Sequence, residues 1–146
     1  MTYTVRHRIP IVAAALMLFT PLLVQAQNIK SLTTSAKGHG TITVSDLSKQ
    51  QITSVLVILN EDGTTQITLY TDIQLLLQGK WSIGDPDDST IELDITGGIV
   101  TNGGRGKGKL VLREDEKSIK SLSIAGKSAD NSATTIEFVA DDPPEK

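Results

Sequence analysis

The chain contains no cysteine. Small domains with thin cores often rely on disulfides, so a folded domain here must rely on apolar packing. Aromatic residues are also scarce, at 3% of the sequence, and past residue 26 only Tyr70, Trp81 and Phe138 remain. Sugar clefts and single-strand nucleic-acid platforms draw heavily on such rings, which argues against both. Past the same point His39 is the sole histidine. Metal centres and activated nucleophiles combine several His, Cys or acidic groups, and no such set is visible. Positive charge is not in excess either, with 14 Lys+Arg against 17 Asp+Glu. That balance excludes the basic footprint of a nucleic-acid partner and attraction to an anionic membrane surface. Finally, no stretch after the N-terminal run repeats apolar residues at three-and-four spacing, so no helix is expected.

What is present begins with three zones. Arg6, His7 and Arg8 are followed by the mostly apolar Ile9–Val24, and Val24-Gln25-Ala26 ends in a small residue. This is the order of a secretory signal cleaved after residue 26. A spanning helix needs roughly 20 apolar residues, and Pro10 and Pro21 interrupt a shorter run here. No membrane span is therefore expected after cleavage, and the destination is periplasmic or extracellular. The leader carries two of the basic residues and none of the acidic ones, so the remaining 120 residues hold 12 Lys+Arg and 17 Asp+Glu, a net −5. That length suits one domain. Residues 27–37 read as a polar lead-in, 38–140 as the domain, and the charged, proline-bearing 141–146 as a disordered tail.

From residue 38 the dominant signal has period two. Strands are expected over 41–44, 51–59, 64–70, 73–83, 90–96, 105–113, 119–126 and 134–140. Asn60-Glu61-Asp62-Gly63 reads as a hairpin turn because Gly63 takes a positive φ at low cost. Gly84-Asp85-Pro86-Asp87-Asp88 reads as another, with Pro86 fixing φ. The fold expected is all-β, an antiparallel meander of about eight strands in a closed or partly open barrel, with a two-sheet sandwich as the alternative. A faint repeat adds to this. Gly38-x-Gly40, Ile52-x-Ser54 and Thr64-Thr65 are echoed by Gly106-x-Gly108, Ile119-x-Ser121 and Thr134-Thr135, which would place two three-stranded units around the 73–96 hairpin.

Two strands break the alternation. Val55–Leu59 and Leu75-Leu76-Leu77 leave no polar face, and a strand apolar on both faces needs cover on both. The lead-in folded over the outside, or local twisting, would supply it. An oligomer interface or a cavity mouth is the sharper reading. Gly79-Lys80-Trp81 resembles the Gly-x-Trp signature of the lipocalins, which are ligand-carrying barrels. In that family the motif lies on the first strand, whereas here it falls mid-chain, so the resemblance bears on architecture and no ligand residue carries over.

Other constellations are weaker. Asp85, Asp87 and Asp88 cluster oxygens of the kind calcium uses, but the spacing is not that of an EF-hand and a solvated turn accounts for it. Gly103 to Lys109 superficially matches a phosphate loop, yet Leu110 follows where Ser or Thr is needed, and a strand follows where a helix is needed. Arg105, Lys107 and Lys109 should share one face of a strand as a basic stripe. The expectation is therefore a non-catalytic exported domain with no cofactor and no bound metal. It would take a small apolar ligand, with Trp81, Leu75, Leu77, Arg105 and Lys107 as candidate contacts. The alternative is a structural or protein-interaction domain with a filled core.

Overall fold

The computed structural model describes residues 29–45, 48–85, 87, 89–98 and 104–143. The leader, Asp88 and most of the glycine-rich connection lie outside the described residues. Eight strands follow in order: β1 (Leu32–Val44), β2 (Ser48–Leu59), β3 (Thr64–Tyr70), β4 (Gln74–Ile83), β5 (Thr90–Gly97), β6 (Arg105–Leu112), β7 (Ile119–Lys127) and β8 (Ala133–Ala140). Each pairs antiparallel with the next, and β8 returns to β1 to close a barrel. The sandwich alternative is thereby excluded.

Strict alternation drives this arrangement. On β8, Thr134, Ile136, Phe138 and Ala140 point inward and Thr135, Glu137 and Val139 outward. On β5, Ile91, Leu93 and Ile95 are buried between exposed Glu92 and Asp94. A pleated strand turns successive side chains to opposite faces, so every strand delivers one apolar row to a shared interior. Eight strands leave an interior just wide enough for side chains to fill.

Closing a sheet requires bends, and three register shifts supply them. Between Lys37 and Gly40, β1 advances three residues while β2 advances two. Thr96 of β5 is the extra residue opposite Gln78–Gly79, and Lys120 of β7 is the extra residue opposite Val111–Leu112. Such bulges raise local twist and re-aim side chains. The β7 bulge explains how Ile119 and Leu122, three apart, are both buried.

The first strand starts earlier than the sequence implies. Residues 32–37, read as lead-in, form the first half of β1 and pair with Leu59 to Ser54 of β2. Leu32, Thr34 and Ala36 face inward there. Two of these three are weakly apolar, so the period-two signal was present but nearly silent. The lead-in therefore sits in the wall rather than over its outside. The tail is also anchored at its start: Asp141 donates its N–H to the Lys37 carbonyl at 2.9 Å, and the Asp141 carbonyl accepts from Arg113 at 2.8 Å.

The turns follow the local chemistry. Gly63 adopts φ 87°, and Asn60 and Thr64 close the hairpin with a 2.9 Å bond from the Asn60 N–H. The two Gly-x-Gly segments both face inward, against different neighbours. A Cβ on Gly40 would meet the Glu137 carbonyl on β8 at 2.3 Å, whereas one on Gly108 would meet the Ser123 carbonyl on β7 at 2.2 Å and Ile124 Cγ1 at 2.6 Å.

Close approach makes a contrast measurable. Gly108→Ala forces two strands apart and should cost about 1–3 kcal/mol or more in urea unfolding, the usual range for overpacking. Gly97→Ala, where nothing lies within 4 Å of the added carbon, should be neutral or stabilise by about 0.4–1 kcal/mol through the unfolded chain. Equal effects at the two positions would refute the close-packing account.

Candidate functional site

Three regions carry features a partner or ligand would read: the interior, the acidic end and the outer wall. The interior is filled. Val55, Val57, Ile67, Leu69, Ile95 and Leu110 are wholly buried, and Phe138 and Ile42 are nearly so. A void large enough for water would leave its lining accessible to a water-sized sphere, so these side chains pack against one another with no such space between them.

The five candidate contacts do not converge. Leu77 is buried in the core and Leu75 is half-buried near the start of β4. Trp81 lies four residues beyond Leu77, which separates them by about 13 Å along a strand. Its ring packs against the core, and its Nε1–H donates to the Asn60 carbonyl at 2.8 Å. Trp81 therefore caps one end of the barrel and has its polar tip satisfied. Arg105 and Lys107 point outward from β6, two strands away from β4.

The basic stripe has company. Across β5 and β6, Lys107 is the register partner of Asp94 and Lys109 of Glu92, and on the far side Lys80 faces Asp94. Opposite charges directly across a sheet are mildly stabilising, so this wall is a charge-alternating, solvated surface. Arg105 instead faces Lys127.

One end of the barrel gathers acid. The 60–63, 84–89 and 113–118 connections and residues 141–143 all lie there, carrying Glu61, Asp62, Asp85, Asp87, Glu114, Asp115, Glu116, Asp141 and Asp142. Their geometry is that of self-satisfied turns. Asp85 accepts from the Asp87 N–H at 3.0 Å. Asp115 accepts from the amides of Lys117 and Ser118 and from the Ser118 hydroxyl. Among the described residues no group of three His, Cys, Asp or Glu is placed to hold a metal ion. His39 pairs with Asp141 at 2.9 Å, with the imidazole 89% exposed.

The opposite side of the wall differs in kind. Outward positions fall into three rows across β1–β4: Thr33, Ile58, Gln66, Gln78; Ser35, Leu56, Thr68, Leu76; and Lys37, Ser54, Tyr70, Gln74. Lys37 is the one charge in that block. Leu56 and Ile58 are half-buried and Leu76 is 45% exposed. These are the outer members of the two runs that break alternation; Val55, Val57, Leu59, Leu75 and Leu77 are the inner ones. An open depression of about 510 Å³ beside Leu56 and Tyr70 reaches Ser35 and Lys37. Sequence reasoning found the leucines and missed Thr33, Ser35 and Thr68, which are neutral residues with no signal of their own.

Comparison with protein-family models, with curated proteins and with solved structures finds no match.

The turn aspartates make a pH prediction. Hydrogen bonds from the Ser118 hydroxyl, then from the Lys117 and Ser118 amides, hold the Asp115 carboxyl at about 2, below its ordinary 3.8. The Thr64 hydroxyl and amide lower Asp62, and the Ser128 and Ser132 hydroxyls, with the Ser132 amide, lower Asp130. A carboxyl depressed in the folded state favours folding in full above its unfolded value, and that contribution is lost as pH falls through the folded value. Melting temperature should therefore fall between about pH 4 and pH 2, and Asp115→Asn should flatten the fall. An unchanged slope in that variant would discount this turn.

Proposed function

We propose that this chain is an exported, non-catalytic protein-interaction domain: a filled barrel that serves as a rigid frame and binds through its uncharged outer face on β2–β4. The observation that carries this reading is the row Leu56, Thr68, Leu76, in register across three strands on the outside of an acidic protein. Contiguous apolar surface on a soluble domain marks a contact site more often than a scattered residue does. Interfaces are depleted in charge at their centres and enriched in residues such as Tyr, and Tyr70 stands in the adjoining row.

Export is supported by the order of the N-terminal zones, positive, then apolar, then small. A soluble state is supported by the sidedness of the barrel. Apolar rows point inward and Lys80, Glu92, Asp94, Lys107 and Lys109 point outward, the reverse of a barrel that faces lipid. A carrier of a small apolar molecule would need the internal space that the core side chains occupy. An enzyme would need a nucleophile, base and orienting group within reach of one another, and the acidic turns spend their hydrogen bonds on their own backbone.

Site-specific photo-crosslinking in the producing cell tests the reading. A photoreactive residue in place of Leu76 should yield a discrete protein adduct, and one in place of Asp94 should not. Leu56→Lys should abolish the adduct while leaving the melting temperature within a few degrees, because that side chain faces outward. Equal labelling from both positions, or none from Leu76, would overturn the assignment of the face. Saturable uptake of an apolar fluorophore into the barrel would restore the carrier reading.

A further inference from the structure

The barrel is closed along only part of its height. β8 pairs with β1 from Gly38 to Val44, but β1 begins six residues earlier, at Leu32. The ladder itself says which backbone groups are left over. Ser45 donates to the Ala133 carbonyl at 2.8 Å, and Asp141 donates to the Lys37 carbonyl at 2.9 Å. Lys37 of β1 and Ser45 just past its end are both odd-numbered, so odd positions turn their N–H and C=O toward β8. Even positions turn theirs toward β2, opposite Leu59, Val57 and Val55. Continuing the β8 register sets position 143 across from Ser35. Position 143 is a proline, which has no N–H to donate. Among the described residues the ladder's last bond is the one to Lys37. Nothing among the described residues pairs with the backbone groups of Thr33 and Ser35 on that side, and Thr33 and Ser35 are exposed.

The far bank of this opening is the β6–β7 turn. A depression of about 330 Å³ separates Ile29, Leu32 and Thr33 from Asp115, Glu116 and Lys117. We propose that the opening is a strand-addition site, in which an extended basic segment of a partner protein pairs with Thr33 and Ser35 and lies along the acidic bank. This rests on the protein-interaction reading and names its mode and its partner's chemistry.

The charge argument selects the occupant. Glu114, Asp115 and Glu116 line the turn, and Asp141 and Asp142 stand where β8 ends. Lys117 on the same turn offsets one of these charges, and Arg113 is already engaged, donating to the Asp141 carbonyl and lying 3.6 Å from the Asp142 carboxylate, so the bank keeps an excess of acid. A second copy of this acidic chain would be repelled, whereas lysine or arginine would be drawn in. Alternation sets the pattern. Positions of the added strand opposite Leu32, Thr34 and Ala36 point inward and suit small β-branched residues. Positions opposite Thr33 and Ser35 point outward and suit the basic ones. Main-chain bonds then give affinity, and the alternate side chains give specificity. Natural edges are usually blunted by charge or proline on the edge itself. Here the proline lies on the neighbouring tail, where it removes one donor from any continuation of the chain's own ladder.

The test uses the purified full chain and a short capped peptide alternating lysine with valine. Titration followed by backbone NMR should move the Thr33 and Ser35 amide signals saturably and slow their hydrogen exchange, with affinity falling as salt is added. N-methylation of alternate peptide amides, or glutamate in place of lysine, should weaken binding about tenfold or more. Ser35→Pro removes an N–H that the barrel does not use, so the fold should survive and peptide pairing be lost. Should that variant unfold, Thr33→Glu provides a second check by adding a like charge without touching the ladder, and it too should weaken binding. Undiminished binding of the N-methylated peptide would mean adsorption to acidic turns and overturn strand addition. So would saturation without movement of Thr33 and Ser35, or no binding at all. Adducts from Leu76 are independent of these results: their presence beside a silent edge would sink this proposal alone, and their absence beside a paired edge would sink only the β2–β4 face.

Discussion

The pairing of β1 with β8 is the constraint on which the structure depends. Seven of the eight strand contacts join neighbours in sequence and need only a hairpin turn. The eighth brings Gly38 against Ala140 and Val44 against Thr134, and it turns an open sheet into a barrel with one interior. The glycines are part of that contact. At Gly40 the β8 backbone comes so near that a side-chain carbon has no room. Phe138, the largest side chain of the buried core, sits opposite Gly40 in the register. Small and large thus face each other at the seam, which is how a narrow barrel fills its taper. The three bulges serve the same end from the other side, since a flat sheet of this width would not meet itself.

The buried rows fill the interior, and the surface around them is not uniform. On the β4–β6 side, charges of both signs alternate in register. On the β1–β4 side, three rows hold a single lysine. At one end, turn carboxylates accumulate and satisfy themselves with their own amides and hydroxyls. Each region follows from the outward half of the same alternation that builds the core. The inward half is constrained to be apolar and of fitting volume, and the outward half is free to differ around the circumference.

Much of this was legible in the sequence. Seven of the eight strands fall within a few residues of where period-two patterning and turn chemistry put them, and Gly63 takes the positive φ expected of it. The first half of β1 was hidden because Thr34 and Ala36 carry its inward row, and such residues look the same in a loop. Barrel and sandwich could not be separated, because the deciding contact joins residues about a hundred positions apart and has no local signature. The candidate contacts on β4 and β6 were individually surface or core residues of ordinary kinds. Only register shows that they point in opposite directions and never meet. The edge at Thr33 and Ser35 was invisible for a related reason: it depends on where the pairing of a neighbouring strand ends, which is at Gly38 and Ala140.

The seam between first and last strands also shapes how the molecule is made. Hairpins such as β2–β3 and β7–β8 close short loops and form early, while the β1–β8 contact must await nearly the whole chain, an arrangement of high contact order and correspondingly slow folding. Until that contact forms, the nascent sheet has two raw margins and an uncovered apolar side, the condition under which chains stick to one another. A polypeptide threaded unfolded across a membrane would meet that hazard afresh on the far side. For this protein, the slow final zip would be the stage at which a holding chaperone has most to protect.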